Sequence, residues 1–245
     1  MLVLACASNA VAQTPDLIEA DRPGLAESST VIGKGRLQIE MGFQWQPMEG
    51  ANSYFFPTLF RIGLSGRVEA RIEGNTFQWN NEHGVRESGV NPISIGAKVV
   101  LHDVVDRKPG LGVIARVFPA WASEGFEPNG VTGDVRVALD WNPVGHISLN
   151  PNVGVGWYED EEHSFTTGLF ALTLSYAPRP NVSWFIDAGG QAPEGFDGVA
   201  TAVVDAGVAY IPGQNWQIDV SAGKRAVGRT SPQGFVSIGF AYRHK

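Results

Sequence analysis

The chain carries one cysteine, Cys6, which excludes a disulfide framework, a CxxC redox pair and any cysteine-based zinc site. It has no run of 18 apolar residues and a mean hydropathy of −0.06, which excludes a bundle of membrane-crossing helices. Positive charge is scarce. Against 25 Asp+Glu stand 18 Lys+Arg, a net −7 with no basic run, and this argues against nucleic acid as a partner. No GxSxG, HExxH, phosphate loop or dinucleotide fingerprint is present, so no catalytic, metal or cofactor site is assigned. Glycine is abundant, at 30 of 245 residues, and 15 prolines punctuate the chain. These bounds leave a soluble all-β domain or a membrane barrel of only moderate hydropathy.

Residues 1–12 read MLVLACASNAVA, apolar and uncharged, and close on a small-x-small pattern before Gln13. This is a signal-peptide end lacking its positive start, so the true start codon lies upstream or was assigned late. Val3-Leu4-Ala5-Cys6 loosely resembles a lipobox, the alternative export route. On either route Cys6 is removed or acylated. Residues 13–33 form a segment ahead of the first strand, and residues 34–245 form the barrel.

Period-two alternation dominates this last part. In residues 34–46, Leu37, Ile39, Met41, Phe43 and Trp45 share one face, and Arg36, Gln38, Glu40 and Gln44 the other. Similar alternation recurs at 67–73, 93–102, 134–141, 147–157, 183–189, 216–223 and 236–243, and weaker runs bring the count to about twelve strands. Runs of about 9–11 residues suit tilted strands that cross a bilayer, whereas strands in soluble sandwiches are nearer 5–6 residues. Short connections at 65–66, 142–145, 177–181 and 211–215 alternate with longer ones near 46–53, 75–92, 121–130, 158–163, 190–199 and 224–234. A somewhat longer member of the short set lies at 103–110. The predicted fold is therefore all-β: a closed antiparallel transmembrane barrel with short periplasmic turns and longer outer loops, in the outer membrane of a Gram-negative bacterium.

The polar faces carry Gly, Ser, Asn, Gln and opposite charges, which fits a narrow lumen. Trp45, Trp141, Trp157, Tyr176, Tyr210, Trp216 and Tyr242 close the apolar faces at strand ends, where interfacial aromatic girdles meet membrane lipid. Ser237-x-Gly239-x-x-Tyr242-x-His244 resembles the terminal-strand signal read by the barrel assembly machinery, with His244 in place of the usual aromatic.

Two groups of charges are candidate functional residues. Arg36, Glu40, Arg61, Arg67, Glu69, Arg71 and Glu73 lie on the polar faces of the first three strands, as a charged constriction or as a structural ion-pair network. Asp21 and Arg22 precede the first strand, either as a plug paired with wall charges or as a solvated tail. His146 and Ser148 share a strand face, but that face is the lumen side near a periplasmic turn rather than the lipid-facing rim that a lipid hydrolase needs, so catalysis is not assigned. The run Glu159-Asp160-Glu161-Glu162-His163 reads as a solvated loop tip rather than a cation site. The expected function is a small-molecule channel of unknown solute. The alternatives are a non-conducting structural or lipid-modifying barrel and an exported soluble domain.

The chain also resembles a family. Asp21-Arg22-Pro23-Gly24, Ser28-Ser29-Thr30-Val31 and Gly35-Arg36-Leu37-Gln38-Ile39-Glu40 resemble the mature start of the outer-membrane barrels named for the meta-pathway of phenol degradation. Residues 57–64 and 67–72 look like that family's second hairpin, and Gly96-Ala97-Lys98, Asp205-x-Gly207-x-x-Tyr210 and Gln217-Ile218-Asp219 continue the likeness. The resemblance spans roughly residues 20–243 and implies an outer-membrane barrel of transporter type. The family name is no guide to the solute.

Overall fold

The structure, a computed structural model, describes residues 16–48, 50–159, 163–195, 198–228 and 233–244. The signal segment at 1–12 lies outside the described residues.

Every strand named here is antiparallel to its neighbours, as period-two patterning between short turns dictates. The strands are β1 (Leu37–Met48), β2 (Ala51–Gly63), β3 (Val68–Glu82), β4 (Val85–Val90), β5 (Ser94–His102), β6 (Gly110–Phe118) and β7 (Thr132–Val144). Then follow β8 (Ile147–Glu159), β9 (Ser164–Arg179), β10 (Val182–Ala192), β11 (Thr201–Gly213), β12 (Trp216–Val227) and β13 (Gly234–His244). β1 pairs with β2 on one side and with β13 on the other, from Leu37↔His244 to Trp45↔Val236, so the sheet closes on itself. The thirteen strands fill twelve wall positions. β5 pairs with β3 over Val68 to Glu73, and β4 pairs with the same strand over Phe77 to Glu82.

Both ends of the barrel chain lie on one rim, together with the connections 64–67, 103–109, 145–146, 180–181 and 214–215. The opposite rim carries 119–131 and the described residues 163, 193–195, 198–200, 228 and 233. We call these the turn rim and the loop rim. The sequence pattern misplaces two loop-rim connections. The expected loop at 46–53 is strand for most of its length, because β1 and β2 stay paired out to Met48↔Ala51. The expected loop at 75–92 is an extension of β3 that turns at His83-Gly84 into β4. Residues such as Asn80, Asn81 and Glu82 break the alternation there, yet ladder hydrogen bonds hold the hairpin.

Polarity is inverted relative to a soluble protein. Ile95 and Ile238 point outward at 64% and 56% exposure, while Glu40 and Lys98 are 0% exposed. The largest fully buried side chains are headed by Arg61, Arg71 and Lys98. An apolar surface wrapped around the whole wall far exceeds what a water-soluble monomer exposes, and its natural solvent is the hydrocarbon of a bilayer. The rings fit this outward face. Trp141, Tyr176, Tyr210 and Trp216 point outward towards the turn rim, Trp45 and Trp157 towards the loop rim. Trp216 and Tyr242, register partners, lie with ring centroids 4.3 Å apart and planes tilted by 38°. A further aromatic group on β1–β3 surrounds Trp79, whose ring lies 4.7 Å from Tyr54 and 5.8 Å from Phe43.

Candidate functional site

Residues 16–36 run through the lumen. The segment starts at the turn rim, where the Ile18 N–H donates to the Gln214 carbonyl at 2.7 Å. It then circles the inside of the wall. Arg22 meets β1, β12 and β13: its N–H donates to Glu40 (2.9 Å), and its Nη2 to Asp219 (3.3 Å) and Ser237 (3.1 Å). The Leu25 N–H donates to Asp187 Oδ2 on β10 at 2.9 Å. Glu27 and Asn152 on β8 exchange two hydrogen bonds, at 2.8 and 2.9 Å. Ser29 gives both its N–H and its hydroxyl to Asp140 on β7, each at 2.8 Å. The Ile32 N–H donates to Glu69 on β3 at 3.0 Å. The backbone donors of Arg22, Leu25, Glu27, Ser29 and Ile32 thus find acceptors on the wall, which is what lets irregular chain thread a narrow space.

Room for the segment comes from wall glycines. Gly42 and Gly239 are register partners on β1 and β13 and lie beneath the Arg22 guanidinium. A Cβ at either would stand 2.5 Å from an Arg22 nitrogen. A Cβ at Gly112 would stand 2.7 Å from the Ser29 carbonyl, and one at Gly189 would stand 3.3 Å from Leu25 Cβ. The glycine content of the polar faces therefore has a positional reason: the segment lies in a groove that side chains would fill.

The charges form a connected set around Asp21. Its carboxylate accepts from Arg71 Nη1 (2.6 Å) and Lys98 Nζ (2.8 Å), and lies 3.6 Å from Arg61 Nη1. Burial alone would raise its pKa, but Arg61, Lys98 and Arg71 together hold the carboxyl well below the usual carboxylate range. Arg61 also donates to both oxygens of Glu69 (2.9 and 3.0 Å) and to Glu40 (3.2 Å). Arg71 adds Glu69 (3.0 Å) and Glu73 (2.8 Å). Arg116 on β6 reaches Glu73, Glu27 at 3.3 Å, and both oxygens of Asp134 at 2.8–3.2 Å. Buried charges paired this densely satisfy the condition for leaving water.

Of the charges singled out in the sequence, Asp21, Glu40, Arg61, Glu69, Arg71 and Glu73 meet in this set, and Arg22 joins it through Glu40. Arg36 and Arg67 do not. Arg36 pairs with Asp16 and Arg67 with Asp103, both at the turn rim, because their strand ends lie below the level of the cluster. Lys98, Arg116, Glu27 and Asp134 escaped selection. Lys98 and Asp134 stood on alternating polar faces, but nothing in the sequence says which strands' polar faces meet across the lumen. His146 sits in the β7–β8 turn, and no hydrogen bond joins it to Ser148 among the described residues. Residues 160–162 of the acidic run lie outside the described residues.

On the loop side of the cluster, a cavity of about 450 Å³ is floored by Arg22, Glu40, Glu73 and Arg116 and walled by Thr58, Asn75, Asn91 and Thr132. Pro57, Pro92 and Phe118 complete its walls, so this is a basin of mixed polar and apolar lining with paired charges at its base.

An outer membrane channel from Pseudomonas putida F1 has the same fold, with a TM-score of 0.69 at 12% identity over 88% of this chain and 98% of that one. The KdgM porin in complex with disordered oligogalacturonate superposes at 0.55 with 10% identity, covering 84% of this chain and 98% of the porin. The NanC porin gives 0.55 at 9% identity with the same coverage. These likenesses are of fold. No curated protein matches the chain. The family described as "Putative MetA-pathway of phenol degradation" matches residues 20–243, and the chain, an outer-membrane β-barrel, belongs to it.

Proposed function

We propose that the protein is a non-catalytic outer-membrane channel of a Gram-negative bacterium that passes small molecules, with its aperture set by the N-terminal segment and the Arg/Glu set. The observation that carries this reading is the basin above Arg22, Glu40, Glu73 and Arg116, whose base is made of paired charges rather than packed apolar side chains. Paired charges of both signs, fixed by mutual hydrogen bonds, filter by size and by the distribution of polar groups on the solute. The KdgM and NanC porins and the Pseudomonas channel share the fold, which supports a conducting role.

In this reading Asp21 and Arg22 act as the anchors of a partial plug, and the outward rings of Trp45, Trp141, Trp157, Tyr176, Tyr210, Trp216 and Tyr242 seat the barrel at the two lipid interfaces. β13, with its Ser237-x-Gly239-x-x-Tyr242 pattern, presents the chain to the assembly machinery. Single-channel recording and liposome swelling with sugars and amino acids of graded size test the function. Discrete steps and size-limited swelling support it; silent bilayers with a properly folded barrel favour the structural alternative.

A further inference from the structure

The lumen wall opposite the arginines holds a different arrangement. Thr173 on β9, Asp187 on β10 and Asp205 on β11 stand in one row as successive register partners. They are 7%, 4% and 7% exposed. Asp187 Oδ2 accepts from the Leu25 N–H, but its Oδ1 and both oxygens of Asp205 are buried without a hydrogen-bond donor. The Thr173 hydroxyl is also buried without a hydrogen-bond partner. One point in the lumen, the place of a Cβ on Gly24, is 3.2 Å from Thr173 Oγ1 and 3.3 Å from Asp187 Oδ2, so the two side chains reach the same space.

Among the described residues no Lys or Arg pairs with Asp187 or Asp205, in contrast to the neutralised set around Asp21. Like charges directly opposite on paired strands repel, and buried carboxylates without a counter-charge are costly. The hydroxyl is a separate sign, because a threonine needs no charge compensation, yet it too is left with its oxygen free beside the pair.

We propose that Thr173, Asp187 and Asp205 bind a divalent hard cation in the barrel wall. The donor set is all oxygen and carries two negative charges. It offers Thr173 Oγ1, Asp187 Oδ1 and the two oxygens of Asp205, and water completes the six to eight ligands that calcium takes. The cation ties β9, β10 and β11 together and fixes Asp187 as the acceptor for Leu25.

The test is calorimetric titration of calcium chloride into the full mature chain, folded in detergent. Wild type takes one Ca²⁺ per chain in a saturable step. Asp205→Asn weakens the step at least tenfold, and Thr173→Val weakens it measurably. Asp103→Asn, at the exposed turn rim, leaves it unchanged. Should Asp205→Asn fail to show the heat-modifiable gel migration of a folded barrel, Thr173→Val decides. Absence of saturable heat in wild type, or equal binding by the variants, overturns the proposal and leaves a shared proton as what neutralises the pair.

Discussion

The Asp21 carboxylate accepts both the backbone N–H (3.0 Å) and the hydroxyl (2.8 Å) of Ser28, closing the chain between them into a loop inside the barrel. The same carboxylate carries the contacts to Arg71 and Lys98. Asp21→Asn removes the one negative charge that Arg61, Arg71 and Lys98 share. Breaking a buried pair from one side costs about 3–5 kcal/mol, and denaturant unfolding in detergent will register a loss of that order. Adding Lys98→Met recovers part of it, which a double-mutant cycle measures.

Acid titration follows from the same residue. The folded-state pKa of Asp21 is depressed, so its contribution is fully present above the unfolded value of about 3.9 and is lost as pH falls through the folded value. The stability gap between wild type and Asp21→Asn is thus flat from neutral pH down to about pH 5 and closes only below the ordinary carboxylate range. Melting temperatures of both proteins across that series check it. A gap that closes near neutrality contradicts the assignment.

Much of this was legible in the sequence, and the parts that were not share a cause. Alternation fixes which side chains face inward along each strand: Glu40, Glu69 and Glu73 lie where the pattern puts them. It does not give height, so Arg67, in phase with Arg71 on the same strand face, turns out to be a rim residue bonded to Asp103. It does not give opposition across the lumen either, which is why Arg116 and Glu27, 89 residues apart, went unpaired. The glycines under the N-terminal segment carry no side chain to signal their partner. Gly239 stands in the terminal-strand motif, but here it also makes room for Arg22.

Height has an energetic consequence. Arg71 is buried among Asp21, Glu69 and Glu73, whereas the Arg67–Asp103 pair is more than half exposed. Arg71→Ala loses about 3–5 kcal/mol of unfolding free energy by leaving buried carboxylates uncompensated. Arg67→Ala loses roughly 1 kcal/mol or less, since exposed pairs contribute little. Equal losses would mean that Arg71 is not in the lumen.

The position of the segment can be fixed covalently. Leu25 Cβ lies 3.3 Å from the Cβ that Gly189 would carry, close to the separation of about 3.5–4.5 Å across a disulfide. The double variant Leu25→Cys/Gly189→Cys will oxidise in air to a species in which the two introduced thiols are joined, and the Asp187 contact to Leu25 keeps them aligned. Mass spectrometry of the peptide pair reads the bond. Two persistent thiols in a folded barrel place the segment elsewhere.

The account rests on the segment being the part that narrows a conducting lumen, and planar-bilayer recording of wild type beside Gly42→Val tests that most directly. Valine at Gly42 takes the place of the Arg22 guanidinium and breaks its hydrogen bonds to Asp219 on β12 and Ser237 on β13, loosening the segment there. The prediction is discrete unitary steps for wild type and clearly larger ones for Gly42→Val. Silence from both folded proteins, or identical steps, would contradict it.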